Sequence, residues 1–187
     1  MRSAVLAIAP VILSASLSAQ GVFSNKTQVI LEKVIRDYPN HFYHIRGELI
    51  GQALQTARYR STVQLPGSSS CTVTVSGAAV EGYDWNCIVL ETADFNTART
   101  RFSEIYDQLS NSIIATEEQK TFILNGQYET PAADRKYTQV LFSLLPGVGE
   151  MKRLRVGLTL HEMDGGWVLS LNVTDNKDLR EVAQADR

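Results

Sequence analysis

The stretch that decides the fold is Lys152 to Thr174, KRLRVGLTLHEMDGGWVLSLNVT. Two runs in it alternate apolar and polar residues, the period of strands with one buried face. Between them stands Met163-Asp164-Gly165-Gly166. Asp-Gly is a favoured two-residue hairpin loop, because both of its positions need a left-handed backbone. Centring the turn there puts Leu160 opposite Leu169, Leu158 opposite Leu171 and Val156 opposite Val173. A slip of one residue would turn that apolar set to the wrong face, so turn chemistry and pattern specify the same register. The opposite face carries Arg153, Arg155, Thr159, His161, Ser170, Asn172 and Thr174. It is too polar to be covered by a second buried layer, which predicts an antiparallel sheet with one wet face.

A second hairpin is written upstream. Cys71-Thr-Val-Thr-Val75 and Tyr83-Asp-Trp-Asn-Cys-Ile-Val89 both alternate, and SGAAVEG joins them. Setting Cys71 opposite Cys87 puts Val73 opposite Trp85 and Val75 opposite Tyr83, all on one face. These are the only two cysteines, and a disulfide between them would close a loop of about 16 residues, worth roughly 3 kcal/mol in the chain-entropy model. A redox pair would stand as Cys-x-x-Cys at a helix start, which these do not.

Two segments carry the helical period. From Thr27 to Phe42, residues Leu31, Val34, Ile35, Tyr38 and Phe42 share one face, and Pro39 should stop the helix near Tyr38. From about Ala93 to Asn111 the stripe is Phe95, Ala98, Phe102, Ile105, Tyr106 and Leu109, with Thr92 as the expected cap and Asp94 suited to the first turn. Ala57 to Leu65 reads as a strand ended by Pro66-Gly67, and further strands are expected at Thr121 to Tyr128 and Tyr137 to Leu145. The order is helix, three strands, helix, four strands. This predicts an α+β fold, a two-layer sandwich with both helices packed on one face of an antiparallel sheet. An α-β-β-β pseudo-duplication is open, with halves near 25–91 and 92–174.

The remaining sequence speaks of location more than of chemistry. Residues 1–19, MRSAVLAIAPVILSASLSA, have a positive start at Arg2, a ten-residue apolar run from Ala4 to Leu13 and small residues before Ala19. That is the pattern of a secretory signal, and the run is too short to span a bilayer. The expected organisation is a signal peptide at 1–19, one α+β domain at 20–175 and a polar tail at 176–187. Export to the periplasm or medium would place both cysteines where disulfides form. With 18 Lys+Arg against 20 Asp+Glu the formal charge is -2, which excludes the uniform basic field of a non-specific nucleic-acid binder.

No catalytic constellation stands out. Gly147-Val-Gly149 lacks the helix and third glycine of a phosphate loop. His161-Glu162 begins like a zinc-protease motif but runs into the hairpin, where adjacent side chains point to opposite faces. His41 and His44 flank Phe42-Tyr43, but Pro39 makes this a helix exit, and a zinc site would need a third ligand. They read as surface histidines, and no metal or cofactor is expected. Acids such as Glu117-Glu118 and Glu162 with Asp164 read as solvated turn residues. The candidate binding face is the wet one, with Arg58, Arg60, Arg153, Arg155 and His161. If its strands lie close together, four guanidinium groups share a surface suited to an anion, a glycan or a protein. Arginine there also keeps a sheet soluble and discourages edge pairing.

From Phe42 to Cys87 the sequence resembles uncharacterised secreted bacterial proteins. The matching pieces are Phe42-x-x-Ile45-x-Gly47, Tyr59-x-Ser61-x-Val63-x-Leu65-Pro66-Gly67, Cys71 and Trp85-x-Cys87. The resemblance implies export and small α+β character, and it brings no activity or catalytic residues. The functional expectation is an exported, non-catalytic binding or interaction module for a protein, glycan or small ligand. Its rivals are a small exported hydrolase using a histidine or acids, and an inhibitor of a secreted enzyme presenting the Ser76–Gly82 loop.

Overall fold

A computed structural model gives the fold and describes residues 26–77, 82–110, 112–116 and 120–175. The expected signal, the expected tail, Glu117-Glu118 and the tip of the Ser76–Gly82 loop at residues 78–81 lie outside the described residues.

Helix α1 is Lys26–Asp37 and buries Leu31, Val34 and Ile35. Strands β1 (Arg46–Ala53), β2 (Thr56–Ser61), β3 (Ser70–Ser76) and β4 (Gly82–Thr92) follow. Helix α2 is Phe95–Ser110, and β5 (Ile113–Ala115), β6 (Thr121–Asn125), β7 (Tyr137–Leu145), β8 (Leu154–Met163) and β9 (Gly166–Asp175) complete the order. Among the described residues, nine strands form one antiparallel sheet in the order β1-β2-β3-β4-β9-β8-β7-β6-β5. The protein is therefore α+β and mostly sheet. Helix α2 lies against β4, β6, β8 and β9, and α1 lies against α2 and β5. The buried helix residues share one core cluster with Val73, Trp85, Val140, Phe142, Val156, Leu158, Leu169 and Leu171 from the strands.

The β8–β9 hairpin has the expected register, Leu160 with Leu169, Leu158 with Leu171 and Val156 with Val173. Its turn takes left-handed backbone at Asp164 (φ 52) and Gly165 (φ 77). Cys71 pairs with Cys87 in register and in a disulfide, with Val73 beside Trp85 and Val75 beside Tyr83.

The structure differs from the sequence expectations in several places, among them β6, which ends at Asn125 and not at Tyr128, and β8, which begins at Leu154 and not at Lys152. Strands β1 and β5 are additional. Strand β1 is exposed along nearly its whole length, so no buried face writes a period into it, and β5 has only three residues. The strand expected through Leu65 stops at Ser61, whose hydroxyl donates to the Val63 carbonyl at 2.7 Å and accepts the Val63 N–H at 3.1 Å, turning the chain. Asp94, not Thr92, caps α2: its carboxylate accepts the N–H of Thr97 at 2.8 Å and of Asn96 at 3.3 Å. Helix α1 ends at Asp37, next to the expected stop, and Tyr38 starts a 3-10 turn, but Phe42 reaches the core from outside the helix, with His41 (φ 57) and Phe42 (φ 59) both left-handed.

Candidate functional site

The sheet face away from the helices carries polar rows across β2, β3, β4, β9 and β8, and an exposed apolar row of Ile113, Ile123 and Leu145 across β5, β6 and β7. Register places Arg58, Thr74, Asp84, Thr174 and Arg155 in one row across β2, β3, β4, β9 and β8. Four strand steps separate its two arginines, roughly 19 Å at the usual spacing. Arg58 and Arg60 therefore stand together on β2, while Arg155 and His161 stand on β8, and the two pairs do not converge on one anion. Arg60 is 3.9 Å from Glu48. Arg155 folds back to donate to the carbonyls of Lys152 and Leu154, each at 2.8 Å. Arg153 leaves this face altogether. It precedes β8, and its guanidinium lies 3.5 Å from Asp175. Both charges act on the buried hydroxyl of Tyr38 at the end of α1, whose pKa is pushed up to about 12 by burial and then by Asp175, against Arg153.

At the middle of the row, burial pushes the Asp84 carboxyl up to about 6, against a hydrogen bond from Asn172. The Asn172 amide folds across β8 where Gly157 has no side chain, and a Cβ there would collide with its Oδ1. That oxygen is buried and accepts no hydrogen bond.

The denser cluster of chemistry lies where α1 joins β1. Asp37 is 7% exposed and organises the loop around its carboxylate. Oδ2 accepts the backbone N–H of His44 at 3.0 Å and of Ile45 at 3.3 Å. Oδ1 accepts the Asn40 amide at 3.3 Å and meets His44 Nδ1 at 2.6 Å. The His44 side chain is two-thirds exposed, at 66%. Bonding at Nδ1 leaves Nε2 as the nitrogen able to exchange a proton or meet a ligand. Beside it the Arg46 guanidinium sits 5.7, 5.6 and 5.7 Å from the ring centroids of Tyr43, Tyr59 and Tyr83. Arg46 donates to the His41 carbonyl at 2.6 Å, while its Nε is buried and donates to nothing. The His41 ring stacks on Tyr83, with centroids 4.2 Å apart and planes 2° from parallel.

On the other side of the same loop is a groove of about 430 Å³. Phe122, Val148, Met151 and Pro39 give it apolar walls, and Arg36, Lys120, Asn40, Thr116 and Glu150 stand around them. Arg36 is fixed in place, with Nε donating to the Ala115 carbonyl at 2.8 Å and an ion pair to Glu32. The groove's volume falls in the range of small-ligand sites.

Among the described residues no group of three or more His, Cys, Asp or Glu is arranged to hold a metal ion. Likewise, among the described residues, no helix is long and apolar enough to cross a membrane. Sequence reasoning passed over Asp37, Tyr43, Arg46 and Tyr83. The available signal was density: Asp37 to Arg46, DYPNHFYHIR, holds three aromatic rings besides its two imidazoles and ends in an arginine, but nothing local says that these side chains meet. Nor does sequence bring the 148–151 segment against α1. Comparison with family models, with curated proteins and with solved structures found no match.

Proposed function

We propose that the protein is an exported, non-catalytic binding module, and that it holds a small amphipathic anion in the groove beside the end of α1. The observation that carries this reading is the groove itself, about 430 Å³ with an apolar lining from Phe122, Val148 and Met151 and with Arg36 and Lys120 at its polar side. An apolar body would lie on the first set, and an acidic end would meet the second. Export is supported by the signal-like residues 1–19, by the disulfide and by the resemblance to secreted bacterial proteins. The two-layer arrangement is supported by the shared core, and a duplication of helix and meander by the strand order, with four strands after α1 and five after α2 in place of the expected α-β-β-β. Each helix is followed by its own meander, and the last strands of the two meanders, β4 and β9, meet at the centre.

The test is a thermal-shift and NMR titration with straight-chain carboxylates of graded length. Amide shifts confined to residues 36–40, 120–124 and 148–151, growing with chain length, support the reading. Loss of those shifts in Val148→Trp, which fills the groove from a half-exposed position, completes it. Shifts elsewhere, or none, sink it.

A second reading, a small exported hydrolase, is favoured by the Asp37–His44 pair, because a buried carboxylate on Nδ1 orients an imidazole as a general base. Turnover on an ester or amide panel that disappears in His44→Ala would replace the first reading with this one.

A further inference from the structure

The ring cluster around Arg46 lies outside the groove and needs no part of that reading. Its charge is set against that of the whole chain. The formal charge is -2, yet the loop from His41 to Arg46 places a guanidinium among aromatic rings. The acids nearby are taken: Asp37 accepts four donors, and Glu48 is paired with Arg60. Three tyrosine rings stand 5.6 to 5.7 Å from the Arg46 guanidinium, whose outer nitrogens remain at the surface, where they can form charge-assisted hydrogen bonds to an anion. One of its donors, Nε, is buried without a partner.

The second feature is a platform. Tyr43 is 68% exposed, and its ring is held edge-on to His44 at 5.7 Å. A large, rigid ring left this open, beside an arginine, has the composition of recognition hot spots. The backbone that presents it is strained, since His41 and Phe42 both take left-handed conformations that bulky residues avoid. Phe42 is wholly buried and His41 is stacked, so the strain is held by tertiary contacts on both sides of the presented residues.

We propose that Arg46, with Tyr43 and His41, forms a binding site for a six-membered ring compound carrying a carboxylate. The carboxylate meets the Arg46 guanidinium, and the ring lies on the face of Tyr43. An acidic sugar residue and an aromatic acid both have this chemistry.

The experiment is an NMR titration of the disulfide-bonded protein at low salt with four probes: a galacturonate oligosaccharide, 4-hydroxybenzoate, neutral galactose and acetate. At least one ring carboxylate is expected to shift the amides of residues 41–46 and 83, at least tenfold more tightly than acetate or galactose. Which of the two binds identifies the source. Tyr43→Ala, an exposed change that leaves the thermal midpoint in place, should remove the advantage of the ring. Arg46→Gln should remove the advantage of the charge and leave ring acids no tighter than galactose. Failure of both ring carboxylates, an equal response to acetate, or unchanged affinity in Tyr43→Ala overturns the proposal. Occupation of the groove by a straight-chain acid leaves these amides still, so the two readings fail separately.

Discussion

Among the described residues, two turns place consecutive residues in the left-handed region, and they do so for opposite reasons. At the β8–β9 hairpin the pair is Asp164-Gly165, with φ of 52 and 77. At the end of α1 the pair is His41-Phe42, with φ of 57 and 59. Asp and Gly enter this region at little cost, so the hairpin turn is a local property of its sequence. A phenylalanine there is disfavoured by roughly 1–2 kcal/mol. It persists because Phe42 is buried, because its N–H donates to the Asp37 carbonyl at 3.1 Å, and because the Asp37 carboxylate collects the chain beyond it. The turn with no local preference for its shape is also the one beside the groove and the ring cluster.

Breaking the imposed turn should cost more than breaking the local one. The largest effect is expected for Phe42→Ala, which empties a fully buried ring site and should lose about 3–5 kcal/mol in a denaturant titration. A loss below 1 kcal/mol would mean that the loop does not depend on this anchor. Asp37→Ala should follow, at about 2–3 kcal/mol, because the N–H groups of His44 and Ile45 lose their acceptor. Hydrogen exchange at those two amides should accelerate together, and unchanged exchange would count against the carboxylate's role. Gly165→Ala should cost about 1–2 kcal/mol, since a Cβ must then enter the left-handed region, although nothing stands within 4 Å of it.

The contrast between local and imposed states extends to charge. Asp84 has a folded pKa raised from 3.8 to about 6, so the native state holds its proton more tightly than the unfolded chain does. Its contribution is then fully present below about pH 4 and is lost as pH rises through 6. Stability should fall across that window by on the order of 1–3 kcal/mol, and Asp84→Asn should flatten the fall. A variant with the same pH profile as the parent would show that burial does not control this group. Asp94 runs the other way. The Thr97 hydroxyl and N–H hold its carboxyl below the ordinary range, so its stabilisation is present at neutral pH and is lost as pH drops toward acid. The smallest effect is reserved for His41→Gly. It relieves left-handed strain but gives up the stack on Tyr83, so the midpoint should move by less than about 1 kcal/mol in either direction.

Much of the sheet was legible because its information is local. Alternation and an Asp-Gly turn were enough for the β8–β9 register, and the same alternation set Cys71 against Cys87. The missed strands had no such record. Strand β1 buries almost nothing, so its side chains carry no period, and its pairing partner β2 alone holds it in the sheet. The wet face was legible as a face but not as a map. Side-chain parity put Arg58, Arg60, Arg155 and His161 on it, but parity does not count the strands between β2 and β8. Arg153 failed by one residue, because β8 begins at Leu154 and the side chain before it follows the turn instead.

The sequence by itself determined the helical stripes, the strand periods, the hairpin turn and the cysteine pairing, since each depends on residues close along the chain or on a strict period of two. Only the tertiary structure decided that β4 and β9 lie side by side, that residues 148–151 meet the end of α1, and that Tyr59 and Tyr83 join Tyr43 beside Arg46. Those outcomes depend on where distant segments pack, and a polar or aromatic side chain carries no mark of the partner that burial will give it.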